Sequence, residues 1–116
     1  MTNKEFFLKT WNNEMASTMS AINGLPDNME SLNYKSDEKA RSAAAILGHI
    51  LNHAEEMCNA CEKFIIEEKS THKQFNSKQE IASFFEKHAR LLTDKLNAVD
   101  DKTWESKLVC LLLNFF

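Results

Sequence analysis

An all-α fold, an antiparallel up-down helix bundle, is what this sequence predicts, and three observations predict it. The 116 residues include only 2 Gly and 1 Pro, against about 8 Gly and 6 Pro at average usage. Sandwiches, barrels and doubly wound sheets place those residues at their many turns. Apolar residues also recur at three- and four-residue steps along most of the chain, which is the period of a helix face. The length suits one domain with a core of its own, so residues 1–116 are expected to form a single helical domain.

The first helix is expected over residues 4–23, where Leu8, Trp11, Met15, Met19 and Ile22 stack on one face. Gly24 stops it, and Leu25-Pro26 prevents resumption because proline lacks the amide proton. Residues 27–41 read as a polar loop containing Tyr34, Lys35, Ser36 and Asp37. Ser42 is a good N-cap, since its oxygen can accept an orphan amide proton of the first turn. The second helix follows over 42–68, with Ala44, Leu47, Leu51, Ala54, Cys58, Cys61 and Ile65 as an unbroken seam. A second polar loop covers 67–76.

Ser77-Lys78-Gln79-Glu80 has the spelling of a capping box, in which serine and glutamate each satisfy a terminal amide. The third helix runs over 78–98, with Ile81, Phe84, Phe85, His88, Leu91, Leu92, Leu96 and Val99 on one stripe. Residues 99–102 break the pattern, and Trp104 restarts it toward an apolar end at 108–116. That end fits a strand or the start of a buried helix. Three long helices leave a groove, and the apolar end is a candidate to fill it.

Charge and leader signals narrow the function classes. The net charge is −3, and 14 basic residues are scattered among 17 acidic ones. No basic stripe with interleaved aromatics appears, so a nucleic-acid partner is not expected. The N-terminus lacks the apolar core of a signal peptide. No apolar run approaches the ~20 residues that span a bilayer, so no membrane partner is expected. Three cysteines form an odd set, and reduced thiols in the cytoplasm are the simplest reading.

Four histidines carry the candidate chemistry. His49 and His53 are four apart, so their rings leave the same helix face and could share one divalent metal. Two imidazoles make half a site. Both sit off the centre of the Leu47-Leu51-Cys58 seam, with Glu56 on the same flank. The other reading is a half-exposed polar flank without a task. His88 interrupts the apolar stripe between Phe84 and Leu92, so it is either a core histidine bonded to a neighbouring helix or an inward-facing ligand. His72 falls in a polar loop and is expected to be solvated.

Cys58-Asn59-Ala60-Cys61 has the CxxC spelling, but in mid-helix on an apolar seam. Redox and zinc pairs usually sit at a helix start or turn, so these are expected to be small buried thiols. Neither a glycine-rich phosphate loop nor a Gly-x-Ser-x-Gly elbow is present, and the Glu-x-x-His pair of a di-iron bundle is absent.

Several short stretches together resemble the DinB-like superfamily, which includes the YfiT-type proteins. They are Trp11-Asn12-Asn13-Glu14 with Thr18, Leu25-Pro26, Tyr34, and Arg41-Ser42-Ala43-Ala44-Ala45-Ile46-Leu47-Gly48-His49-Ile50. Leu-x-x-Val-Asp-Asp-x-x-Trp, ending at Trp104, resembles the exit of that superfamily's third helix. The resemblance implies a four-helix bundle holding nickel or zinc on three histidines. One of those comes from the second helix and matches His49. The other two form a His-x-x-x-His pair on a fourth helix, and no histidine follows His88 here. The expectation is therefore a family-like bundle whose fourth helix is absent or incomplete, with His53 as the best local substitute by geometry.

The resemblance also implies a metal-dependent hydrolase or thiol S-transferase relative, acting on a small thiol or other small molecule, or an inactive descendant of one. The competing expectation is a non-enzymatic helical interaction module. A homodimer is expected in either case, with 108–116 at or near the contact, because so apolar a segment is poorly placed in water. The His49 ring should face a cleft, and its second nitrogen should be held by a carboxylate or carbonyl.

Overall fold

The computed structural model describes residues 1–65 and 73–108. Among them every regular element is helical and no strand occurs. α1 is Asn3–Asn23, α2 Met29–Leu32, α3 Ala43–Lys63, α4 Lys78–Ala98 and α5 Asp101–Thr103, followed by a π-helical turn at Trp104–Leu108. The expected filler and contact segment, which begins at Leu108, lies almost wholly outside the described residues, as do His72 and Cys110.

Short polar side chains start each long helix. The Thr2 hydroxyl accepts from the Glu5 amide while the Glu5 carboxylate accepts from the Thr2 amide, a complete capping box. Ser42 accepts from the Ala45 amide at 3.1 Å, as its place in the sequence implies. Ser77 accepts from the Glu80 amide at 3.1 Å. The expected second half of that box shifts by one residue, because the Glu80 carboxylate accepts from the amide of Asn76 at 2.6 Å.

Two boundaries differ from the sequence expectation. The 27–41 segment contains α2, one turn capped by Asn28 and anchored by Leu32, which is fully buried. Its Met29 and Leu32 are three apart and both face the core formed by Ile22, Leu51, Ile81 and Phe85. The second long helix ends at Lys63 rather than 68. Phe64 turns the chain with φ 56°, the left-handed region that usually takes glycine. Its ring packs against the cluster of Met57, Cys61, Leu92 and Trp104, and that burial offsets a backbone cost of about 1 kcal/mol.

The packing runs along α4, which lies against both α3 and α1. α1 and α4 are antiparallel. Lys4 near the start of α1 meets Val99 past the end of α4, and Lys78 at the start of α4 meets Leu25 past the end of α1. Between them the Trp11 indole N–H donates to the Thr93 hydroxyl at 2.9 Å.

α3 and α4 run in the same direction, so the strictly alternating sense expected from the sequence does not hold for this pair. Leu51 shares a core with Ile81 and Phe85, Cys58 reaches the His88 carbonyl, and Glu62 pairs with Lys95. The physical reason is the connection from Lys63 to Lys78. At about 3.3 Å per residue it reaches further than the roughly 30 Å length of α3, so the chain can return before starting α4. Its last part crosses α3 closely at Gly48, where a Cβ atom would stand 2.4 Å from the Lys73 carbonyl oxygen.

Two apolar clusters result. One joins Phe7, Leu8 and Trp11 of α1 to Met57, Cys58 and Cys61 of α3, Leu92 and Leu96 of α4, and Trp104. The other joins Met15, Met19 and Ile22 to Leu32, Leu51, Ile81 and Phe85. Each fully buried Leu or Ile contributes about 1.5–3 kcal/mol over its exposed state.

Candidate functional site

The second turn of α3 brings two of the candidate residues together. His49 and His53 are one turn apart, and their Nε2 atoms are 3.1 Å from each other. The rings meet edge to face with centroids 4.4 Å apart and an interplanar angle of 86°. Both side chains are half-buried. Helical geometry accounts for the meeting, since residues four apart lie on one face with Cβ atoms about 5–6 Å apart.

Behind His53 stands a buried carboxylate. Glu56 is 2% exposed, and its Oε2 lies 2.9 Å from His53 Nδ1. Its other oxygen accepts from the Asn52 amide nitrogen at 3.1 Å, and Asn52 is itself buried. A carboxylate accepts, so His53 carries its proton on Nδ1 in this contact. Its Nε2 then presents a lone pair toward His49. A buried carboxylate partner is therefore present for His53. Glu56 on the flank of the pair was legible from its spacing; the buried Asn52 that fixes it was not. The available signal was an amide side chain four residues before a glutamate on the same helix.

The arrangement fits a divalent metal on two corners. Zinc binds imidazole nitrogen at about 2.0–2.1 Å, which puts neighbouring ligand atoms of a tetrahedron roughly 3.3 Å apart. The observed 3.1 Å is close to that edge. His53 with Glu56 also reproduces the carboxylate–histidine pairing that orients metal-bound rings. For both Nε2 atoms to face an ion, His49 must keep its proton on Nδ1.

The remaining candidates stand apart. His88 donates from Nδ1 to the Phe84 carbonyl of its own helix at 3.0 Å and stacks on the Phe84 ring at 4.0 Å. Among the described residues, no three His, Cys, Asp or Glu side chains gather into a metal-sized group. Cys58 and Cys61 are free, buried thiols. Burial pushes both thiols up in pKa, Cys61 to about 11 with the neighbouring Cys58 adding to the effect, so neither is a thiolate near neutral pH.

Lys73 adds a second polar group beside α3. It pairs with Glu55 at 2.7 Å and lies 5.1 Å over the Phe84 ring. Between α1 and α4 there is an open groove of about 350 Å³ lined by Asn12, Met15, Ala89, Arg90, Thr93 and Asp94. None of these residues belongs to the histidine pair. Comparison with family models, with curated proteins and with solved structures finds no match to this chain. Among the described residues no helix is long and apolar enough to cross a membrane.

Proposed function

We propose that this chain is a divalent-metal-binding helical protein, built as a DinB-like bundle. The observation that supports this reading is the His49–His53 pair, with Nε2 atoms 3.1 Å apart and Glu56 fixing the second ring. In this reading His49 and His53 are the ligands and Glu56 is a positioning residue. Bound zinc or nickel supplies a Lewis acid able to activate a water or a thiol, which is the chemistry of a hydrolase or thiol S-transferase relative. The chain's own residues do the rest. Glu56 holds the His53 proton on Nδ1, and Asn52 holds Glu56. Free thiols at Cys58 and Cys61 agree with a cytoplasmic setting, where cysteines stay reduced.

Equilibrium dialysis against zinc and nickel tests the reading. The chain should retain either ion, and His49→Ala and His53→Ala should each lose it while keeping the helical circular dichroism spectrum. Retention by both variants at the wild-type level would defeat it.

A second reading, a helical interaction module without catalysis, is favoured by a different observation. Ile46 and Ile50 on α3 are 45% and 43% exposed, an unusual cost for large aliphatic side chains placed four apart. A metal-free chain that self-associates through α3 would support this reading over the first.

A further inference from the structure

We infer that the buried face of α3 carries a second, soft-metal site, in which the Cys58 and Cys61 thiolates and the Met57 thioether hold one monovalent copper ion, Cu(I). This site is separate from the histidine pair and stands whether or not that pair binds metal.

Three sulfur side chains share one apolar cluster. Met57, Cys58 and Cys61 are 7%, 3% and 7% exposed, and all belong to the core that includes Leu92, Leu96 and Trp104. Cys61 is three residues from Cys58 and four from Met57, the two spacings that bring side chains together on one helix face. Both thiols are free. The Cys58 thiol donates to the His88 carbonyl at 3.6 Å, a weak sulfur bond that an ion can replace at little cost.

Helix geometry decides what such a pair can do. Cβ atoms three apart in a helix are about 5–6 Å from each other, whereas a disulfide draws them to about 3.5–4.5 Å. Direct oxidation would therefore distort α3. An ion between the sulfurs fits the wider spacing, because two metal–sulfur bonds of about 2.3 Å reach across roughly 4.6 Å. Thiolate and thioether together are the soft donors that select Cu(I). Uptake breaks two S–H bonds, forms two Cu–thiolate bonds and one thioether bond, and releases two protons with no redox change. The two thiolates outweigh the ion by one negative charge. Burial disfavours that anion, and the ammonium of Lys95 on α4 favours it at both thiols. Entry is at the end of α3, since Cys61 lies in its last turn and helix ends open first.

Anaerobic titration of the full chain with Cu(I), in competition with bathocuproine disulfonate, tests the inference. One Cu(I) per chain should be retained, with an ultraviolet thiolate-to-copper charge-transfer band. Cys58→Ala and Cys61→Ala should keep the helical spectrum and each weaken retention beyond the roughly 10–100-fold that loss of a merely orienting group brings. Met57→Leu keeps the volume without the sulfur and should weaken it by about tenfold; retention equal to wild type would overturn the three-sulfur assignment. Cys110→Ser should bind as wild type does, and loss of copper there would overturn the inference. X-ray absorption of copper-loaded wild-type chain needs no variant to fold. Its first shell should be sulfur alone, whereas imidazole scattering would move the ion to the histidines and overturn the inference, as would no uptake at all.

Discussion

Lys4 and Lys78 are reciprocal. Lys4, in the first turn of α1, donates to the carbonyls of Asn97 at 2.9 Å and Val99 at 2.6 Å, around the end of α4. Lys78, the first residue of α4, donates to the carbonyls of Asn23 at 3.0 Å and Leu25 at 3.1 Å, around the end of α1. Each helix thus closes the other's last turn, where carbonyls have no partner within their own helix.

Replacing either lysine by methionine keeps the aliphatic stem and removes the donor. Lys4→Met and Lys78→Met should each cost about 1 kcal/mol in thermal unfolding. The two sites lie at opposite ends of the pair, so the double variant should show nearly the sum. A double variant no less stable than wild type would remove these contacts from the account of the fold.

Gly48→Ala should destabilise although alanine is the better helix former by about 1 kcal/mol. The added Cβ would lie 2.4 Å from a backbone oxygen of Lys73, which cannot rotate aside. Relief requires moving the connection, at a cost of about 1–3 kcal/mol. Gly24→Ala is the control, since its Cβ would meet only ordinary contacts at 3.5 Å or more. Urea titrations should show the first variant less stable and the second no worse than wild type.

Glu56→Gln preserves the side-chain shape and can still accept from His53, but removes the charge behind it. Zinc affinity should fall by about 10–100-fold, as for other groups that orient a metal-bound ring. The circular dichroism spectrum should be unchanged. A competition titration with a chromogenic chelator reads the difference, and equal affinities would deny Glu56 its positioning role.

The paired thiols make stability depend on alkaline pH. Cys61 rises from the ordinary 9.0 to about 11 in the folded chain, and Cys58 rises as well, both chiefly through burial. An unfolded thiol ionises near 9, so their contribution is whole below that pH and is lost as pH climbs toward 11. Denaturation midpoints should fall between pH 9 and 11 in wild type, and fall less in Cys58→Ala/Cys61→Ala. Peptide-mapped alkylation at pH 7 should leave both thiols unmodified until denaturant is added.

The long helices were legible because their signals are local. Apolar spacing, Ser42 and Ser77 mark α3 and α4, and Gly24 with Pro26 marks the end of α1. Phe64 hid the end of α3, since a left-handed residue other than glycine is set by what its ring can pack against. The relative direction of α3 and α4 was hidden for a similar reason. It depends on how far the connection travels, and spacing within a helix carries no information about that. The site divides the same way. His49, His53 and Glu56 follow from helix periodicity, whereas the Asn52 bond to Glu56 depends on both being buried.

Because α3 and α4 point the same way while α1 opposes them, the molecule has unequal poles. Of the three long helices, two end and one begins near Lys63 and Lys95. Each terminus carries roughly half an elementary charge, negative at the carbonyl end, so the three long helices together leave that pole net negative. Lys4, Lys63 and Lys95 all stand there, at the start of α1 and the last turns of α3 and α4. The macrodipoles thus give these three cations a shared task, and a glutamate put in place of any of them would meet a field already of its own sign.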